Sequence, residues 1–265
     1  MKKVFILSLL FMLISSLLAH EFWLHPDKFI YKRGEKINIR FLVGENFEGE
    51  NWKGNNDRVQ MLTLYYGGIS DNLSEYLSDA PGDSLELTML DEGTCLVAFN
   101  STNSFIEMEA AKFNEYLLED GLANAIEYRK QYNETDSMGR EYYQRCAKTM
   151  IQVGNLKDKT FTINSGMPVD IIPLMNPYQL KNNDSLRIKI LYEQVPLAGA
   201  LVKIWHRENG ATAKQQQMSN EKGEIIFSVK TSGAWMVSVV KMKKLENDEK
   251  ADWQSYWGSL TWGYE

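Results

Sequence analysis

The chain has only three histidines, His20, His25 and His206. His20 directly follows an apolar leader, within "SSLLAHEFWLHPDKF" (Ser15 to Phe29). If cleavage falls after Ala19, His20 becomes the amino-terminal residue. It then offers two nitrogens, its α-amine and its ring Nδ1. Together they close a six-membered chelate on one metal ion, and a second imidazole completes a three-nitrogen set. Nitrogen-rich sets suit copper(II) or nickel(II). A free α-amine titrates at about 7.7–8.0, so binding at neutral pH displaces a proton and affinity falls as pH drops.

The second imidazole is His206 or His25. An odd spacing along an extended strand puts His25 on the face opposite His20, although Pro26 can end the strand and bend the chain there. Val202, Ile204 and His206 alternate with Lys203 and Trp205 on a strand pattern beside the "RENG" turn. His206 reaches His20 only where the amino terminus packs across a domain junction. Alternation favours His206, with Glu21 and Asp252 as lesser oxygen donors. In the bland alternative, His20 is incidental to cleavage and His206 is a half-buried strand residue bonded to its neighbours.

Other chemistry is sparse. There is no Gly-x-Ser-x-Gly, no phosphate-cradling glycine loop, no His-Glu-x-x-His and no Cys-x-x-Cys. The 35 acidic residues read as solvated surface charge, so no enzyme is expected. A copper oxygenase built on the terminal histidine ranks last among the readings. The net charge of −6 comes with no basic patch, which argues against nucleic acid as a partner. Cys95 and Cys146 read equally well as a disulfide or as two buried thiols.

The elements that must position these residues are mainly strands. Lys2 and Lys3, the apolar Val4 to Ile14 and the small Ala19 form a signal-peptide pattern over residues 1–19. It predicts an exported chain, periplasmic or secreted, with no stable membrane insertion after cleavage and a formal charge of 27 − 35 = −8. "EKINIRFLV" alternates apolar and polar residues, as a half-buried strand does; "VQMLTLYYGG" and "SLELTML" read similarly, and "GTCLVAFNS" suits a central strand. "EAAKFNEYLLEDGL" is helical, with Gly121 as its stop. "LANAIEYRKQY" and "REYYQRCAKTM" carry weaker helical patterns, which predicts a helical insertion around 106–150. Strands resume after Gly166. The expected architecture is two β-sandwiches, 20–165 with the insertion and 166–265. The dense aromatics Trp253, Tyr256, Trp257, Trp262 and Tyr264 would serve as a platform for sugar rings or as core. Alternation in "SLTWGYE" puts Leu260, Trp262 and Tyr264 on one face, as a core strand would.

"LYEQVPLAGALVKIWHRENG", "SNEKGEIIFSV" and "GAWMVSVV" resemble the transthyretin-like, or carboxypeptidase-regulatory-like, β-sandwich. "AHEFWLHPDKF", "KFNEYLLEDGL", "REYYQRCAKTMIQVG", "VDIIPLMNPYQL" and "DWQSYWGSLTW", in that order, resemble the DUF4198 family across nearly all of the chain. The resemblance implies an exported β-rich protein loosely linked to nickel or cobalt uptake. The expected function is therefore periplasmic metal handling through His20 with His206 or His25. The cofactor would be nickel, cobalt or copper, and the partner an outer-membrane or ABC-type transporter component. The alternative is a non-enzymatic module that binds a glycan or a protein at the cell surface.

Overall fold

The structure, a computed structural model, describes residues 21–264. His20 lies outside the described residues. In chain order the strands are β1 (Glu21–Pro26), β2 (Ile30–Tyr31), β3 (Lys36–Glu45), β4 (Glu48–Asn51), β5 (Val59–Tyr66), β6 (Ile69–Asn72), β7 (Ser84–Thr88), β8 (Gly93–Ser101) and β9 (Ser104–Met108). Two helices follow, α1 (Ala110–Glu119) and α2 (Ala123–Gln131). Then come β10 (Gly139–Val153), β11 (Val169–Pro173), β12 (Ser185–Tyr192), β13 (Val195–Pro196), β14 (Leu201–Glu208), β15 (Ala211–Met218), β16 (Glu224–Ser228), β17 (Ala234–Lys244) and β18 (Trp253–Gly263).

A ten-stranded sheet forms the middle layer, in the order β15-β14-β17-β18-β10-β8-β5-β6, with β2 and β9 also paired to β10. A four-stranded sheet, β1-β3-β4 with β7 on β3, covers part of one face. Another, β11-β12-β13 with β16 on β12, covers the opposite face. Strand alternation makes this layering possible. On β17, Trp235, Val237 and Val239 join the core under β11, β12 and β16. The intervening Met236, Val240 and Met242 pack on the other side, against Trp23 and Trp205 or against the helices. On β3, Ile37, Ile39 and Phe41 are buried in a third core with Phe22, Leu24 and Phe99.

The mainly β sandwich architecture expected from alternation is what the chain builds. The two expected sandwiches are not separate sheets, however. β10 and β18 pair in parallel from Glu141↔Trp253 to Thr149↔Thr261, so one sheet runs across the expected boundary at 165. "REYYQRCAKTM", residues 140–150 at the end of the expected helical insertion, instead lies in the long strand β10 (Gly139–Val153), and the helices end at Gln131. From Cys146 to Val153 every residue of β10 is buried, with sheets on both sides. Two-sided burial removes the apolar/polar alternation that marks a strand. α1 ends as expected: Gly121 takes φ 64°, a conformation open to glycine, and the end of the helix presses on Leu201 of β14. Cys95 and Cys146 are both free and buried, in different cores on opposite faces of the middle sheet. Burial pushes each thiol up to about 12.

Candidate functional site

β1 is an edge strand of its own sheet, yet it is buried on both faces. Phe22 and Leu24 enter the core with Phe41 and Phe99. Trp23 turns the other way, onto Leu42, Phe47, Trp205 and Met236. Glu21 is only 7% exposed. Its Oε1 lies 3.2 Å from Lys203 Nζ, which also meets Asp120 Oδ1 at 2.8 Å. This ties the start of β1 to β14 and to the end of α1. Burial pushes Asp120 up to about 6, with Lys203 pulling against it and Glu21 and Glu119 adding to the rise. Burial also works against the Lys203 charge, but the two carboxylates outweigh it and hold the ammonium above its ordinary value.

The described histidines do not come together. His25 shares the face of Glu21 and Trp23 on β1, and four strand steps, about 13 Å, separate it from Glu21. Its ring meets Phe29 and Phe47 edge-on, with centroids at 5.7 and 5.9 Å, and its Nδ1 is buried without a hydrogen-bond partner. Burial, helped by Arg40 and Arg207 and opposed by Asp27, lowers its pKa to about 4, so the ring is neutral at pH 7. His206 stacks on Trp235 with centroids 4.3 Å apart, and its Nε2 lies 3.0 Å from the Ser232 carbonyl. Alternation puts His206 on the face of Val202 and Ile204, opposite the Lys203 and Trp205 that meet β1. His206 is therefore on the wrong face of β14 to approach the start of β1. Asp252 is taken up by Arg140, with two hydrogen bonds of 2.9 Å. Among the described residues, no three or more His, Cys, Asp or Glu side chains are grouped to hold a metal ion.

Two features escaped the sequence reading. The first is Glu141 on β10, fully buried beneath α1. Its Oε1 accepts from Ser255 Oγ and, at 3.3 Å, from Tyr116 Oη, while its Oε2 has no partner. Burial pushes it up to about 7 despite those donors. Close by, Glu21, Asp120 and Trp257 line a small void with room for about one water molecule.

The second feature is an open groove of about 910 Å³ between the β3–β4 hairpin and β10. Arg145 reaches into it from β10. Its guanidinium lies 5.0 Å from the ring centre of Phe22, 5.2 Å from Tyr143 and 5.9 Å from Trp52. Among the described residues no carboxylate pairs with it, and burial lowers its pKa, opposed by Tyr143. The hairpin that forms the other wall turns through Asn46 and Phe47, both at positive φ, 54° and 58°. Phe47 accepts this uncommon conformation for a bulky residue while its ring is buried against Trp23. Gly44 and Gly49 let the two hairpin strands close, since a Cβ at Gly44 would fall 2.0 Å from the Glu48 carbonyl oxygen. The sequence carried one signal for this site: Phe47 and Trp52 are the two large apolar residues in the polar stretch "GENFEGENWKGNN". Arg145 gave none, because a missing partner is a long-range fact.

Fold and groove together define a layered β-sandwich protein with a concave, ligand-sized site on one edge. Residues 17–243 match the family model described as "Domain of unknown function (DUF4198)", and the chain belongs to that family. No curated protein matches the chain. Similar solved structures include the N-terminal four Ig domains of Dscam1 isoform 6.9, at 12% identity over 91% of this chain with a TM-score of 0.21. The chain spans about half, 51%, of that structure. Three N-terminal domains of the bacteriophage RB49 Highly Immunogenic Outer Capsid protein match at 6% identity, over 93% of this chain and 71% of theirs, with a TM-score of 0.21. Escherichia coli alpha-2-macroglobulin matches at 15% identity, over 93% of this chain and 22% of its own, with the same TM-score of 0.21.

Proposed function

We propose that this is an exported, non-catalytic binding protein that holds a cell-envelope glycan in the groove between the β3–β4 hairpin and β10. One observation carries the reading: a charged, half-buried Arg145 lying among aromatic rings in an open groove, with no carboxylate among the described residues paired with it. An uncompensated charge of this kind costs stability, and bound ligand can offset that cost. The groove volume lies within the range of small-ligand sites, about 300–1,000 Å³. Trp52 and Tyr143 offer flat faces, and Asn46 and Asn51 offer carboxamides that both donate and accept. Glycan-array binding of the exported protein tests the reading. Trp52→Ala should abolish the signal while the thermal melt persists. An array that stays blank, or binding indifferent to Trp52→Ala, would rule the groove out.

A second reading, accessory metal handling, is favoured by a separate observation. Were the chain cut after Ala19, Glu21 would be its second residue, and chain ends usually fray, yet Glu21 is buried and clamped by Lys203, itself bonded to Asp120. If processing exposes His20, its amine and ring would be carried on a fixed strand, suited to nickel, cobalt or copper. The transthyretin-like module, the uptake link and a transporter partner belong to this reading as implications of the family resemblance. His206 is no longer its partner of choice, and His25 lies too far along β1. Mass spectrometry of the mature amino terminus, then calorimetry with nickel(II) and copper(II), tests it. One glycine inserted before His20 moves the amine away from the ring's chelate. Unchanged metal affinity in that variant would sink the terminal chelate.

A further inference from the structure

We infer that the groove's ligand is a singly charged, carboxylate-bearing sugar of the uronate type, its carboxylate seated on the in-plane edge of the Arg145 guanidinium. The inference rests on the groove being the binding site.

Aromatic rings near a guanidinium attract its charge but cannot take the place of oxygen acceptors for its N–H donors, which lie in its plane. Those donors match a carboxylate or a phosphate in a two-point bond. Among the described residues no protein acceptor meets them, while the neighbouring arginines are committed. Arg140 pairs with Asp252, and Arg207 Nη2 meets Glu48 Oε1 at 2.5 Å. The vacant acceptor position therefore belongs to Arg145 alone among these three.

The rest of the lining limits the charge that can enter. Glu45, Glu48 and Glu50 place three carboxylates on the hairpin wall, Glu48 paired with Arg207, and among the described residues lining the groove Lys53 is the one cation besides Arg145. A phosphate or sulfate cluster would meet those carboxylates. A single carboxylate on an otherwise neutral, hydroxyl-rich body fits the arginine and leaves its hydroxyls to the carboxamides of Asn46 and Asn51. A peptide carboxyl terminus fits less well. Peptide grooves take alternate side chains in apolar pockets, and among the described residues lining this one Val43 is the sole aliphatic side chain.

The test is calorimetry of the full exported chain with a uronic-acid disaccharide, its methyl ester, and a short neutral peptide with a free carboxyl terminus. The acid should bind about tenfold or more tightly than the ester, the size of a charge-assisted hydrogen-bonded contact. Arg145→Gln should erase that preference. Arg145→Lys, which keeps the charge but not the fork, should retain only part of it. Thermal melts of both variants check the fold, and Arg145→Lys keeps the test open if Arg145→Gln is unstable. Equal binding of acid and ester, or a preference that survives Arg145→Gln, overturns the inference. If acid and ester bind equally and Trp52→Ala abolishes both, the groove stands and the carboxylate fails. If neither sugar binds the unaltered protein, groove and carboxylate fail together. Binding of the peptide with the sugars silent overturns the choice of a sugar.

Discussion

Under β11, β12 and β16 the middle sheet presents Val202, Ile204, Val237, Val239 and Leu260, a core of apolar side chains. One ion pair, Lys148–Asp170, sits within it, both side chains all but inaccessible. On the opposite face, under β1 and the helices, the middle sheet presents Lys203 from β14 and Glu141 and Arg145 from β10. There the charges are shared among three groups, as in Glu21–Lys203–Asp120, or lack a partner for one atom, as in Glu141. The first face is organised for stability. The second keeps ionisable groups in states that water would not favour, and such perturbation is commoner at functional sites than in ordinary cores. That contrast is one reason to propose the binding site on the second face, although the first face also holds a perturbed pair in Lys148–Asp170.

The largest expected effect comes from breaking the pair on the apolar face. Burial lowers the Lys148 pKa against the pull of Asp170, and Asp170 is also held by Ser165, whose N and Oγ donate to it at 2.6 and 2.8 Å. Lys148→Met leaves a buried carboxylate without its cation and should cost roughly 3–5 kcal/mol in urea denaturation at pH 7. Adding Asp170→Leu should recover most of that loss, since a well-packed apolar pair often replaces a buried ion pair at little cost. A single variant as stable as the unaltered chain would mean that this face is less dry than its burial indicates.

On the other face the sign reverses, because removing a charge should stabilise. Glu141 is pushed to about 7 from an ordinary value near 4.5. A carboxyl group with a raised folded pKa adds nothing adverse below its unfolded pKa. Between about pH 4.5 and 7 ionisation costs the folded state progressively more. Glu141→Gln should therefore raise stability at pH 8 by at most roughly 3 kcal/mol, and the gain should vanish below about pH 4.5. Equal stability of the two chains at pH 8 would show that the Glu141 pKa is not raised by folding, as when a cation accompanies its carboxylate.

Much of the fold was legible in the chain. β3 alternates cleanly because one face meets a core and the other is half-exposed, so Ile37, Ile39 and Phe41 could be assigned to the inside. The same logic placed Leu260 and Trp262 in the core, where they are, with Tyr264 packed against it. β10 was illegible for the opposite reason. Its buried stretch Cys146–Val153 is covered on both faces, and the part before it mixes Tyr, Gln and Arg in no clear period. The parallel pairing of β10 with β18, which unites the two halves, joins residues more than a hundred positions apart. The candidate groove was hidden for a related reason, since Arg145 matters through the absence of a partner. His206 was correctly read as a strand residue, but which face of β14 would meet β1 was not contained in its alternation.

The smallest expected effect, and the most informative about the second face, belongs to His25. Its pKa is lowered to about 4 by burial, Arg40 and Arg207, against the opposing influence of Asp27. The folded state thus prefers the neutral ring. Stability linked to His25 is fully present above about pH 6.5 and is lost as pH falls towards 4. His25→Gln should remove that acid sensitivity, by about 1–2 kcal/mol between pH 7 and pH 4.5, a figure reduced because the ring is only partly buried. The Glu141 contribution runs the other way across nearly the same range, falling as pH rises. In the unaltered chain the two slopes oppose each other, and a flat stability profile between pH 4.5 and 7 would conceal both. Glu141→Gln alone should expose a loss on acidification, His25→Gln alone a loss on alkalinisation, and the double variant should be flat again. A double variant that still slopes would place the titration in a third group, with Asp120, pushed to about 6 beside Lys203, the first to substitute.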